Sequence, residues 1–227
     1  MVIAGGEGLR LRPLTNDRPK AMISVAGKPI LDWIIQWLSS NEISHIVVGV
    51  AYKKETVKEH LSRFESGMKF DFSEHTVEGG TGEGFRLAIE RFVQDDVFLA
   101  MNGDELTNID ISDFADFHIR ARGVATIGVA SLRSPFGVVE LSGNSIVDFR
   151  EKATLDAYVS TGVYMFDHKI LEYLPTTGNI ENDTFPKLAR QGQLRAYKHK
   201  GFWGTINTLK DLQEVEKELM KGILKHQ

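Results

Sequence analysis

The sequence predicts an α/β fold of three layers, α/β/α, with helices covering both faces of a mixed, mostly parallel central sheet. Three observations carry this. Short apolar runs alternate with helical patterns through the first 131 residues. A glycine-rich turn, Gly5-Gly6-Glu7-Gly8, follows the first apolar run at once. A second part richer in β pattern then begins, with a turn at Ser142-Gly143-Asn144 between two strand-like stretches. Strand–helix alternation joins parallel strands by helical crossovers, and a short Gly-Asn turn joins antiparallel ones.

The elements follow in order. Residues 2–4 end a buried strand, and 29–39 form a helix with Pro29 in its first turn. Residues 45–50 are a buried strand, 53–64 a helix, 69–74 a strand and 84–92 a helix. The apolar strand 97–101 runs into Asn102-Gly103-Asp104. A helix at 111–122 and a strand at 125–131 complete the first part. The hairpin pairs 137–141 with 145–151, and 158–166 is a further strand. Helices at 180–190 and 208–221 flank the short strand 194–198. No linker or repeat interrupts the chain, so it is expected to be a single domain, 1–227. Trp33 and Trp37 share one helix face and are expected in the core.

Composition excludes several classes of protein. Apolar residues make up 42% and charged residues 26%, enough for a sizeable core. The net charge of −4 argues against a nucleic-acid binder driven by a global positive field. There is no cysteine, which removes disulfides, zinc–thiolate sites and thiol catalysis. The seven histidines show no zinc-ligand spacing. No apolar stretch approaches the roughly 20 residues of a membrane span, and no signal peptide is evident, so the expected location is cytoplasmic with no membrane partner. Residues 210–225 read as an amphipathic docking helix.

The first twenty residues carry the chemistry. Glycines bring bare N–H groups close to a ligand, and Arg10, Arg12, Arg18 and Lys20 add the local positive charge a polyphosphate needs. In open α/β sheets ligands sit beyond the carboxyl ends of the strands, where Gly5–Gly8 and Asp104 are both expected.

The run Gly5-Gly6-Glu7-Gly8-Leu9-Arg10-Leu11-Arg12-Pro13-Leu14-Thr15, followed by Pro19-Lys20, resembles the signature of the sugar-1-phosphate nucleotidyltransferases, also called nucleoside-diphosphate-sugar pyrophosphorylases. The family usually has Thr at Leu9. The similarity extends from Met1 to about Glu218. It implies a Rossmann-like fold with a small sugar-binding β-rich lobe, a nucleotide-binding part at 1–131 and a sugar-phosphate-binding part at 132–227. It implies an enzyme joining a nucleoside triphosphate to a sugar 1-phosphate, with Mg²⁺ as cofactor. A homodimer is the default oligomer.

The resemblance assigns roles by position. Arg10, Lys20 and Asp104 are the catalytic candidates. Ala4, Gly5, Gly6 and Gly8 would bind nucleotide, as would Gly80 and Thr81 in the second glycine-rich loop, whose following helix offers free N–H groups to an acceptor ligand. Gly137 in Phe136-Gly137-Val138-Val139-Glu140, Glu151 and Lys152 in Phe149-Arg150-Glu151-Lys152, and Gly162 would hold the sugar phosphate, with Ser160 as a hydroxyl ligand. Asp104 is the first metal ligand. The family's second metal carboxylate falls two or four residues after a Trp, and here those positions hold Thr205 and Asn207, so Asn207 is the remaining candidate. That departure leaves open a non-catalytic nucleotide or sugar-phosphate sensor. An enzyme acting on another phosphate acceptor, such as phosphocholine, is a further alternative. The base and the sugar stay open, because the stretch after Phe202 is similar to cytidylyltransferases and the Arg-Pro-Leu-Thr start to guanylyl- and uridylyltransferases.

Overall fold

The computed structural model describes residues 1–64 and 67–224. In its first part, β1 (Val2–Ile3), β2 (Ser24–Val25), β3 (Lys28–Pro29), α1 (Ile30–Ser40), β4 (His45–Val50), α2 (Lys54–Ser62), β5 (Lys69–Glu74), α3 (Gly80–Phe92) and β6 (Val97–Asn102) succeed one another. Then come β7 (Glu105–Thr107), α4 (Ile111–Ala121), β8 (Ala125–Arg133), β9 (Val138–Ser142), β10 (Ser145–Arg150) and β11 (Thr154–Asp167). The chain continues through α5 (Thr184–Arg190), β12 (Leu194–Lys198), β13 (Trp203–Thr205) and α6 (Leu209–Met220).

The central sheet has seven strands in the order β12-β8-β11-β6-β1-β4-β5. β1 runs parallel to β4 and β6, β4 to β5, and β12 to β8, while β11 is antiparallel to both of its neighbours. The sheet is therefore mixed and mostly parallel, as expected. Alternate side chains feed two cores. Val2, Leu99, Met101, Val163 and Met165 face α1, α2, α4 and α6. Ile3, Ala100, Tyr164 and Phe166 face α3 and α5. This period of two, with both faces covered, is what makes the strand segments read as continuous apolar runs.

The helices follow from their apolar stripes and caps. α1 buries Ile30, Leu31, Trp33, Ile34, Ile35, Trp37 and Leu38. Both indoles find carbonyls there: Trp33 Nε1 donates to Val25 O at 2.9 Å and Trp37 Nε1 to Ile109 O at 3.1 Å. Asp110 caps α4 by accepting from Asp113 N at 2.9 Å. α6 starts with a capping box between Thr208 and Asp211. Its apolar stripe puts Val215 and Leu219 into the core; Lys225, the end of the expected docking helix, lies outside the described residues.

Several boundaries differ from expectation. α1 starts at Ile30, after Pro29. α3 starts at Gly80, four residues earlier than its apolar pattern indicates, and α5 starts at Thr184, four later. One cause serves both: residues 178–183 are spent on a turn that clasps the first turn of α3. β11 is longer than the expected strand because its first half runs on beyond β6 while still paired with β8. The strands β7 and β13 were not anticipated. The expected β-rich lobe consists of the ribbon β9–β10 and the far ends of β8 and β11, where Thr154 pairs with Arg133. Among the described residues no helix is long and apolar enough to cross a membrane.

Candidate active site

The chain runs from β1 outward to β4 and β5, then returns to place β6 on the other side of β1. That reversal opens a crevice at the carboxyl ends of β1 and β6. Gly103 N donates to Ile3 O at 2.8 Å, so the loops after β1 and β6 start side by side. The glycine loop and Asp104 leave the sheet at this crevice, as their positions after two apolar strands indicate.

The loop is tightly held. Gly5 has no room for a side chain, since a Cβ there would lie 2.8 Å from Ala51 Cβ and from His75 Nε2. Burial pushes the His75 imidazole below its ordinary value, so it fills this space as a neutral ring. Gly6 faces open space instead, and its carbonyl accepts from Lys20 N at 3.0 Å. Gly8 is left-handed at φ 63° and begins a short 3₁₀ turn, Leu9–Leu11. The Thr15 hydroxyl donates to Gly8 O at 2.9 Å. The chain thus doubles back, and Arg10 and Lys20 emerge together.

These two cations meet a polar cluster. The Lys20 ammonium donates to Asp104 Oδ2 and, at 2.8 Å, to Asn207 Oδ1. Arg10 Nη2 donates to the same Asn207 Oδ1 at 2.9 Å. The Lys20 and Asp104 side chains are largely buried, at 11% and 23% exposure. Asn207, rather than Thr205, is therefore the C-terminal residue that reaches the cluster. Thr205 orients it by accepting from Asn207 Nδ2 at 2.9 Å. Two cations against one carboxylate leave a net charge of +1; an Asp at 207 would bring it to zero. Arg12 and Arg18 point elsewhere: both are exposed, and Arg18 pairs with Asp17 at 2.9 Å.

The strand pair β7–β13, with Thr205 opposite Glu105, fixes this geometry. Trp203 Nε1 donates to Glu105 Oε2 at 2.9 Å and to Thr161 O at 3.0 Å. Burial, and then the neighbouring Asp104 carboxylate, push the Glu105 carboxyl well above the usual carboxylate range, against the hydrogen bonds from Trp203 and Thr205. Gly162 lies on the other side of Glu105. It is left-handed at φ 68°, and a Cβ there would come within 2.7 Å of Glu105 Cγ. Glu105 escapes motif reading, because a strand of three residues gives no periodic signal, and Trp203 is read only as the landmark before Thr205 and Asn207.

The second glycine-rich loop differs from expectation. Its N–H groups are not free: Thr81 N donates to Asn179 Oδ1 at 3.3 Å and Gly82 N to Gly178 O at 2.8 Å. The Thr81 hydroxyl donates to Glu181 Oε2 at 3.2 Å. Gly80, at φ 65°, is the first residue of α3 rather than part of a preceding loop. Glu83 folds back onto Thr76, accepting from its N and Oγ1 at 2.7 Å each, and these bonds hold its carboxyl below the usual range. The clasp explains why a helix start was not expected at Gly80.

The remaining candidates sit near the ribbon. Gly137 is covered by the Phe149 ring. Glu151 is exposed, and Lys152 Nζ pairs with Glu214 of α6 at 3.3 Å. No hydrogen bond or ion pair joins Glu151 or Lys152 to Arg10, Lys20 or Asp104. Their connection to the crevice runs through α6, whose N-terminus begins beside Asn207. Ser160 Oγ accepts from Gly162 N at 3.2 Å. Ala4 is buried and donates its N–H to Gly49 O at 2.7 Å.

An open α/β sheet with a glycine loop, two cations and a carboxylate at its switch point is built for a phosphorylated ligand. Residues 1–222 match the family described as nucleotidyl transferase, and the chain belongs to that family. It is 28% identical to a probable glucose-1-phosphate cytidylyltransferase of Bacillus subtilis, over 98% of this chain and 96% of the relative. It is 30% identical to a mannose-1-phosphate guanylyltransferase catalytic subunit beta of Dictyostelium discoideum, spanning 93% of this chain but 61% of that protein. The crystal structure of HddC from Yersinia pseudotuberculosis superimposes with a TM-score of 0.78 at 22% identity, covering 96% of this chain and 97% of that one, a likeness of fold.

The raised Glu105 carboxyl sets a pH dependence. A carboxyl whose folded value lies above its unfolded value, about 4.3, stabilises fully below that pH and loses its contribution as pH rises through the folded value. Relative to Glu105→Gln, the native chain is therefore expected to lose stability steadily as pH rises from about 4.3. Urea unfolding of both proteins at pH 5 and pH 8 measures this; a pH-independent difference would refute it.

Proposed function

We propose that this chain joins a nucleoside triphosphate to a sugar 1-phosphate, releasing pyrophosphate and a nucleoside-diphosphate sugar. The observation that carries the reading is the convergence of Arg10, Lys20, Asp104 and Asn207 at the switch-point crevice. A sugar-phosphate oxygen attacks the α-phosphorus. The bond from that phosphorus to the oxygen bridging to the β-phosphate breaks, and pyrophosphate departs with the electron pair. The nucleophile is already anionic, so no general base is needed. The work is to bring two anions together and to stabilise charge as it develops.

Arg10 and Lys20 suit that work. Lys20 has three donors and uses two on Asp104 and Asn207, leaving one for a phosphate oxygen. The guanidinium of Arg10 spends one donor on Asn207 and keeps its others for phosphate. Ala4, Gly5, Gly6 and Gly8 are assigned to the triphosphate, and Gly80 and Thr81 to the base. Asp104 and Asn207 direct oxygens at one ammonium, so both lie within reach of a single small cation. Such a hard oxygen pair, completed by phosphate and water, fits Mg²⁺. When bound, the ion supplies charge neutralisation between the two reactants. Gly137, Glu151, Lys152 and Gly162 are assigned to the acceptor, Lys152 to its phosphate. The relatives named above act on different bases and sugars, and the reading extends to neither.

Pyrophosphate release across a panel of triphosphates and sugar 1-phosphates, with phosphocholine included, tests the reaction. Turnover with a sugar 1-phosphate is expected; triphosphate binding without any turnover in Mg²⁺ or Mn²⁺ would favour a sensor. Arg10→Ala is expected to lower kcat by about 100- to 1,000-fold, as when one charge-stabilising donor is lost. Near-native kinetics would remove the central assignment. Lys152→Ala should raise the acceptor KM by about 10- to 100-fold, the value of one charged hydrogen bond, with triphosphate affinity kept. Asn207→Asp should lower the Mg²⁺ concentration for half-maximal rate and weaken metal-free triphosphate binding, because the cluster loses its positive charge. Titration of both ligands by calorimetry reads the two effects separately.

A further inference from the structure

The Lys20 ammonium sits on the very oxygen pair assigned to Mg²⁺. It donates to Asp104 Oδ2 and, at 2.8 Å, to Asn207 Oδ1. Mg²⁺ needs its oxygens at about 2.1 Å, so an ion bound to both would claim the space that Nζ fills. Charge opposes sharing as firmly as space does. Among the described residues Asp104 is the one carboxylate bonded to Lys20 or Arg10, and the cluster already carries a positive charge. A divalent ion added with both cations in place would raise that charge from +1 to +3 around largely buried side chains. A carboxylate at 207 could hold ion and ammonium together; the neutral amide of Asn207 does not balance both. The Thr205 hydroxyl offers no relief, being turned to Asn207 Nδ2 and Glu105.

Lys20 has another place for its charge. Its backbone N–H donates to Gly6 O at 3.0 Å. Its stem runs along Gly8, where a Cβ would lie 3.1 Å from Lys20 Cβ. The flexible four-carbon stem can therefore turn the ammonium toward Gly6, which faces open space. A triphosphate on the glycine loop would supply there the oxygens that Asp104 and Asn207 supply in the crevice.

We propose that Lys20 is the placeholder cation of the metal site: it fills the Asp104–Asn207 pair until a triphosphate draws it onto the glycine loop, and a divalent ion then takes its place. The lysine blocks the ion alone and admits it with the triphosphate. Metal and triphosphate thereby raise each other's affinity by the same factor, as linkage requires. The inference rests on the proposed function only in giving this site a triphosphate and its cation.

Binding of Mn²⁺ without nucleotide tests it, because Mn²⁺ shares the oxygen chemistry of Mg²⁺ and its free form is read directly by paramagnetic resonance. Lys20→Met is expected to bind Mn²⁺ about 10- to 100-fold more tightly than the native chain, the usual size of a coupling between sites. Arg10→Met removes the same charge without vacating Asp104 and should gain much less. Adding Asp104→Asn to Lys20→Met should abolish the gain. On a background of Asn207→Asp, where two carboxylates can host both cations, Lys20→Met should gain less than it does in the native chain. Lys20→Gln keeps a donor for Asp104 and serves if circular dichroism shows Lys20→Met unfolded; it should show the same gain at smaller size. Equal affinity in the native chain and the folded Lys20 variant would put the ion beside an undisturbed lysine and overturn the proposal. So would an equal gain in Arg10→Met, or a gain that survives the loss of the Asp104 carboxylate. No acceptor and no turnover enter these measurements, so a protein inactive in the pyrophosphate assay leaves their result standing.

Discussion

The ammonium of Lys20 is held between the carboxylate of Asp104 and the amide oxygen of Asn207, and three distant stretches of chain meet because of it. The loop after β1 doubles back to deliver Lys20, the end of β6 delivers Asp104, and the turn before α6 delivers Asn207. A largely buried cation needs partners, since removing one would strand the others at a cost of several kcal/mol. Around this contact the β7–β13 pair, the Trp203–Glu105 hydrogen bond and the capping box of α6 read as a scaffold. Each holds one donor or acceptor of the cluster in place. The same contact accounts for the remaining charge: an amide rather than a carboxylate at 207 answers the lysine without cancelling it.

Much of the fold was legible because the sheet is covered on both faces. Val48, Ala100 and Met101 belong to apolar runs that only a buried strand supports, and glycine turns mark where those runs end. The first half of the site was legible for the same reason, since Gly5–Gly8 and Asp104 follow directly on apolar strands. Asn207 could be singled out only through the resemblance; the hydrogen bonds then show that it, and not Thr205, reaches Lys20 and Arg10. Glu105, and the hydrogen bond it accepts from Trp203, gave no local signal because the two strands are three residues long and nearly a hundred residues apart. The start of α3 was missed for a related reason. Gly80 is a poor helix residue alone, and it is the turn at Gly178–Asn179 that makes a helix start there.

The two ends of the molecule contrast in how they are held. Around Lys20 the side chains of Asp104, Asn207 and Arg10 are tied to one another within the chain, and the glycine loop is packed against Ala51, His75 and Thr15. At the ribbon, long apolar side chains stand in water and the Asp148–Arg150 ion pair lies within a single strand. The first arrangement suits preorganisation for charge, where displaced groups would be costly.

The antiparallel β11 lies between β8 and β6, so the middle of the sheet is the last part of it but one to leave the ribosome. Until residues 154–167 have been synthesised, β6 and β8 are two open edges with nothing between them. The first part of the molecule, up to β8, cannot close by itself, however complete its own strands are. During translation this leaves two sticky edges exposed for roughly 3–13 s of chain growth at about 5–20 residues per second, a window in which chaperones or fast downstream synthesis matter. The same insertion ties the two halves together in evolution. Neither half can be exchanged as a cassette, because a foreign replacement would have to supply the strand that joins the other's edges.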